Sequence, residues 1–172
     1  MPYLADLLIR LLGAFYIFAG VVATRAALTS RFADTVIAAL DGGAPSRIER
    51  QKSLWLIASS AVVFAGGVAL FAGLDLARWL FLASAAGQAV YLFALAPQYF
   101  DKADPPDARG RRQTTNAFVI YVAATALVFW AAAVGHLMPL ATAPAWLSAL
   151  AAMAVLAFLG WIARHTLFRV HR

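Results

Sequence analysis

Residues 54–96 read LWLIASSAVVFAGGVALFAGLDLARWLFLASAAGQAVYLFALA, a stretch in which Asp75 and Arg78 carry the only charges. An α-helix rises 1.5 Å per residue, so about 20 apolar residues cross a hydrocarbon core about 30 Å thick. The stretch is long enough for two crossings, Leu54 to Gly73 and Leu76 to Ala96. Only Gly73-Leu74-Asp75 separates them, which predicts a tight antiparallel hairpin. The runs are continuously apolar instead of alternating, which argues against a membrane barrel, and unpaired backbone in lipid costs several kcal/mol per group.

Outward from this hairpin, Tyr3 to Thr24, Ala117 to Leu137 and Pro144 to Ala163 have the same character. The expected fold is all-α, a single polytopic membrane domain over residues 1–172 with five transmembrane helices. Composition agrees: 63% of the residues are hydrophobic and 13% charged, with a mean hydropathy of +0.78. A soluble domain is about half apolar and about a quarter charged. Val21-Val22-Ala23 loosely resembles a signal-peptidase site, but Asp6 and the length of the first run favour a retained span.

The longer connections are also legible. From Ala26 to Leu40, the residues Phe32, Val36, Ile37 and Leu40 recur at helical spacing before Gly42-Gly43, predicting a short amphipathic interfacial helix. Ser46-Arg47-Ile48-Glu49 has capping-box spacing, so the second spanning helix is expected to start there, outside the lipid. Pro97 to Thr115 is expected as a polar, exposed loop containing the basic run Arg109, Arg111 and Arg112. Met138 to Ala143 reads as a short turn on the same side as Gly73-Leu74-Asp75, with Pro144 opening the last helix.

Net charge is +6, and the charges lie between the apolar runs. One side receives Arg25, Arg31, Arg47, Arg50, Lys52, Lys102, Arg109, Arg111, Arg112, Arg164, Arg169 and Arg172, whereas the other receives Arg78 and the first span holds Arg10. Cationic loops stay in the cytoplasm, so a bacterial inner-membrane protein with its N-terminus outside and C-terminus cytoplasmic is expected. Arg109, Arg111 and Arg112 then anchor the surface against anionic lipid. Without interleaved aromatic residues or a binding fold, they do not indicate nucleic acid. Trp55, Trp79, Trp146 and Trp161 lie near predicted span ends, as in an aromatic belt.

Chemistry has few candidates. The chain has no Cys, which removes disulfides, thiol nucleophiles and cysteine-ligated clusters. His136 and the pair His165 and His171 fall at opposite ends of the last two spans, so no haem is expected, and no metal-ligand spacing is present. Asp6 and Arg10 stand four apart on one face of the first span. They form either an interfacial pair, with Arg10 snorkelling outward, or a polar site for an anionic headgroup, a substrate or a quinone oxygen. Gln88, with Ser84 and Tyr91, lines either a quinone pocket or a helix–helix hydrogen bond. Ala61, Ala65, Ala69 and Gly73 put small residues on one face of the second span, predicting close helix packing.

Arg10-Leu11-Leu12-Gly13-Ala14-Phe15-Tyr16-Ile17-Phe18-Ala19-Gly20 resembles the opening helix of DoxX-like membrane proteins, where an Arg precedes a Gly-spaced apolar run. Gly66-Gly67-Val68-Ala69-Leu70-Phe71-Ala72-Gly73-Leu74 resembles that family's second helix. The resemblance implies a small inner-membrane subunit linked with quinone-dependent redox systems, and carries over Arg10 alone. The chain departs from it by a fifth span and by Ser59-Ser60-Ala61 where the family often has an acidic residue. No cofactor is predicted by the residues themselves, though the quinone reading stays open. Three functions follow in order: a non-catalytic accessory or assembly subunit, a quinone-binding redox subunit, and a small transporter or channel. Expected partners are the lipid bilayer and other membrane subunits or further copies of the chain.

Overall fold

The computed structural model describes residues 2–40, 42–43, 46–100 and 108–167. It contains α1 (Pro2–Leu40), α2 (Arg47–Phe71), α3 (Leu76–Val90), a π-helical continuation of α3 (Tyr91–Phe100), α4 (Ala108–Ala133) and α5 (Ala145–Leu167), with no strand among the described residues. Among the described residues, five helices are long and apolar enough to cross a membrane. The chain is a multi-pass membrane protein.

The helix ends follow local rules. Ser46 Oγ accepts from the Glu49 N–H at 3.2 Å and the Ser46 N–H donates to Glu49 Oε2 at 2.8 Å, closing the expected capping box. After α2, the Gly73 N–H donates to Leu70 O and the Leu74 N–H to Ala69 O. After α4, the Gly135 N–H donates to Ala132 O and the His136 N–H to Ala131 O. Both are Schellman stops, and their pivot glycines have φ of +71° and +81°. Gly42 and Gly43 close α1 with the same pair of bonds.

The α2–α3 and α4–α5 turns then join each other. The Met138 N–H donates to Gly73 O at 2.7 Å and the Asp75 N–H to Met138 O at 2.8 Å. Both turns therefore occupy one end of the bundle, as expected, and α1 starts at that end.

The core is built on a seam between α1 and α2. A Cβ on Gly13 would lie 2.5 Å from Phe71 N, one on Gly67 2.6 Å from Ile17 N, and one on Gly20 2.8 Å from Phe64 Cβ. Thr24 meets Ser60 at 2.7 Å, and Ala27 shares a buried cluster with Ile57. Both helices thus advance by alternate steps of four and three residues, the pattern of a left-handed antiparallel coil. The Ala61, Ala65, Ala69 row is not this seam. Gly67, which lacks any side chain, admits the α1 backbone where alanine does not, while a Cβ on Gly66 would lie 3.2 Å from the Phe81 ring of α3.

Three expectations are revised. Residues 26–40 are no separate interfacial helix: α1 is continuous for 39 residues, about 58 Å. Ala26-Ala27-Leu28 offers no helix breaker, and Arg31, Asp34 and Ala38 stay half-covered as the same steps continue along α2. The third span runs through Pro97 to Phe100, where the wider π turn tolerates the missing proline N–H and its ring. Arg109, Arg111 and Arg112 lie in the opening turns of α4 instead of a loop.

Candidate functional site

Two polar constellations are built by these helices. The first lies at the turn end. Asp6 Oδ1 on α1 is 2.7 Å from His136 Nδ1 in the α4–α5 turn, and Arg10 Nη1 donates to the Phe71 carbonyl at 3.2 Å. The predicted Asp6–Arg10 pairing is absent among the described residues. The Schellman stop of α4 aims His136 at Asp6, and the C-terminus of α2 presents Arg10 with a helix-end carbonyl, a favourable place for a cation. Nearby, Arg78 Nη2 is 2.8 Å from Asp75 Oδ2 and its guanidinium lies 5.0 Å over the Trp79 ring.

The second constellation is inside the bundle. Tyr16 of α1, Phe81 of α3 and Tyr121 of α4 form an aromatic triad. Tyr16 meets both other rings edge-on at 5.0 and 5.3 Å, while Phe81 and Tyr121 stack at 5.5 Å. Both tyrosines are 5% exposed. Gln88 Nε2 donates to Ser84 Oγ at 3.1 Å. The Ser84 hydroxyl lies beside the Tyr121 phenol without hydrogen-bond geometry, so the buried Tyr121 hydroxyl is unpartnered. A buried unpaired hydroxyl costs about 1–3 kcal/mol.

The candidate ligand residues do not converge. Asp6 and Arg10 sit at the turn end, whereas Gln88 is twelve residues into α3, about 18 Å deeper. Arg109, Arg111 and Arg112 stand at the opposite end, where α4 begins. His165, in the last turn of α5, approaches the Trp161 carbonyl at 2.9 Å, at the far end from His136. Sequence reading missed Tyr16 and Tyr121; their signal was a phenol in the middle of an apolar run. It also missed His136 as the partner of Asp6, since the two are far apart along the chain.

The fold and these contacts define a small helical-bundle membrane protein in which Thr24–Ser60, Asp6–His136 and Arg10–Phe71 tie separate elements, whereas the Gln88–Ser84 bond lies within α3 instead of between helices and the Tyr121 hydroxyl is unpartnered. No family model, curated protein or solved structure matches the chain.

Proposed function

We propose that the chain is a non-catalytic accessory or assembly subunit of a larger complex in a bacterial inner membrane. One observation carries this reading: three polar contacts tie separate elements together, and the described polar side chains do not converge on one site. Thr24 bonds Ser60, Asp6 bonds His136, and Arg10 bonds the Phe71 carbonyl. Meanwhile α5 buries only 11% of its apolar window within the chain, leaving a flank for other subunits. Blue-native electrophoresis after mild solubilisation tests it. Migration in a species containing other polypeptides is expected, and migration only as the chain or copies of itself overturns it.

The same proposal has the N-terminus outside and the C-terminus in the cytoplasm; what supports it is the gathering of cationic residues between the spans on the side opposite the two turns. Kinship with DoxX-like membrane proteins belongs to the same proposal. Of the five glycines in the stretches that carry the resemblance, Gly13, Gly20, Gly66 and Gly67 are where neighbouring atoms approach most closely, while Gly73 forms the turn.

A second reading, a redox subunit holding a quinone near Gln88, is favoured by the unpartnered Tyr121 hydroxyl beside Ser84, the residue that Gln88 bonds. A phenol O–H in an apolar aromatic setting suits a ligand carbonyl. Solvent extraction of the purified protein decides it: recovered quinone that falls in Tyr121→Phe supports the reading, and a quinone-free preparation sinks it.

A further inference from the structure

Three helices turn a face into the bundle, and all three faces lose their cover at one level. On α1 the inward positions Ile9 and Tyr16 are buried and Ala23 is exposed; on α3, Ala77, Phe81 and Ser84 are buried and Gln88 is half-buried; on α4, Val128, Ala124 and Tyr121 are buried and Ala117 is exposed. Steps of three, four or seven residues keep each set on one side of its helix. The aromatic triad marks the change. Ala23 and Gln88 lie seven residues beyond Tyr16 and Phe81, about 10 Å, and Ala117 lies four residues beyond Tyr121, about 6 Å, all toward the end where α4 begins. Because α4 packs along α3 but meets α1 through the triad rings, the bundle is uncovered between α1 and α4 below the triad.

The polar groups around this space suit water better than lipid tails. Gln88 is twelve residues into α3, about 18 Å along a hydrocarbon core about 30 Å thick. Its Nε2 donates to Ser84 Oγ within the same helix, and among the described residues the amide makes no other hydrogen bond. The second N–H and the carbonyl oxygen of a half-buried amide are costly to leave against hydrocarbon. Ser84 lies beside Tyr121, and Gln88 and Ala117 are each one turn beyond them, so the two share a level. On α4, Arg112, Gln113, Thr114, Thr115 and Asn116 are polar and exposed right up to Ala117, which brings the aqueous boundary on that helix to the level of Gln88. A bound water needs two to four polar partners, and the Gln88 amide supplies both a donor and an acceptor.

We propose that α1, α3 and α4 enclose an aqueous vestibule, open at the end where α4 begins and closed by the aromatic triad, in which water or a small polar solute solvates the Gln88 amide. Ala23, Gln88 and Ala117 line it at one level, and the two alanines leave the room. It is a blind pocket and not a conduit, because Phe81, Leu70 and Val128, each at most 1% exposed, fill the bundle from the triad toward the turns. The inference rests on neither functional reading. An accessory subunit or a redox subunit can carry a hydrated pocket, and native electrophoresis or quinone extraction can fail without touching it.

The natural absence of Cys makes the test direct. Ala23→Cys, Gln88→Cys and Ala117→Cys are each treated in sealed membrane vesicles with a charged, membrane-impermeant methanethiosulfonate. The controls are Val22→Cys, Val90→Cys and Val119→Cys, exposed on the outward faces of the same three helices near that level. The thiolate is the reacting form and a thiol facing hydrocarbon keeps its proton, so the inward three are expected to react at least about tenfold faster than the valine positions. They should do so only from the side on which α4 begins. Equal rates for the two sets, reaction from the other side, or reaction at Ala117→Cys alone overturns the proposal. Ala117→Trp provides a second measurement: added to the Gln88→Cys chain, its indole plugs the vestibule, and the rate at position 88 is expected to fall to that of Val90→Cys. An unchanged rate overturns the vestibule.

Discussion

Gly67→Ala is the sharpest probe of the fold, because two effects of one methyl group oppose each other there. In a helix interior alanine is favoured over glycine by about 1 kcal/mol. At Gly67 the added Cβ would stand 2.6 Å from Ile17 N and 2.8 Å from Tyr16 C. Both are backbone atoms of α1, so no side-chain rotation relieves them. Restoring ordinary contact requires α1 to move outward by about 1 Å, and overpacking of this kind costs about 1–3 kcal/mol, occasionally more. The displacement also stretches the 2.7 Å Thr24–Ser60 bond two turns away, worth about 0.6–1.7 kcal/mol in a membrane bundle. The net expectation is a loss of about 1–4 kcal/mol, centred near 2, after the propensity gain is subtracted. Gly87→Ala and Gly160→Ala are the controls, since nothing lies within 4 Å of a Cβ at either position; both should be neutral or stabilising by up to about 1 kcal/mol. Reversible unfolding in mixed detergent micelles, or steric trapping in bicelles, measures all three. If Gly67→Ala proves as stable as Gly87→Ala, the α1–α2 seam is not where it has been placed here.

Tyr121→Phe removes an unpartnered buried hydroxyl and should stabilise the bundle by about 1 kcal/mol in the same assay; a loss of similar size would mean the phenol has a partner. Thr24→Val keeps the shape but deletes the interhelical bond, with an expected cost of about 0.6–1.7 kcal/mol; no change would remove that bond from the account of the seam. Asp6→Asn weakens the tie to His136. With the Asp6 side chain 48% exposed, its effect on global stability should stay below about 1 kcal/mol. The readout is local: amide exchange in residues 3–9 should quicken while α2 is unaffected, and unchanged exchange would count against the tie. Arg10→Leu uncovers the Phe71 carbonyl and should accelerate exchange at Gly73 and Leu74, the stop it faces.

Much of this fold follows from features that act within a turn or a span. Apolar length set the five crossings, because about 20 residues must satisfy their own backbone in lipid wherever they sit. Gly42, Gly73 and the Ser46–Glu49 box fixed ends that involve only neighbours in sequence. The candidate site was less legible. Asp6 and Arg10 were identifiable as charges in an apolar run, but a four-residue spacing says only that they can pair. Each instead has a partner brought from far along the chain, His136 of the α4–α5 turn for Asp6 and the Phe71 carbonyl for Arg10.

What the sequence alone determined is therefore the number of spans, the stop at Gly73 and the gathering of cationic side chains at one end; the fourth span, expected to reach Leu137, stops instead at Ala133. The tertiary structure decided the length of α1, which depends on the long-range seam with α2 and not on where the apolar run ends. It decided which small residues touch, choosing Gly67 over the Ala61 row because only a position without a side chain lets two backbones meet. It also set Tyr16, Phe81 and Tyr121 ring to ring. Three helices far apart in the chain supply them, and no local pattern encodes how three such helices will be rotated against one another.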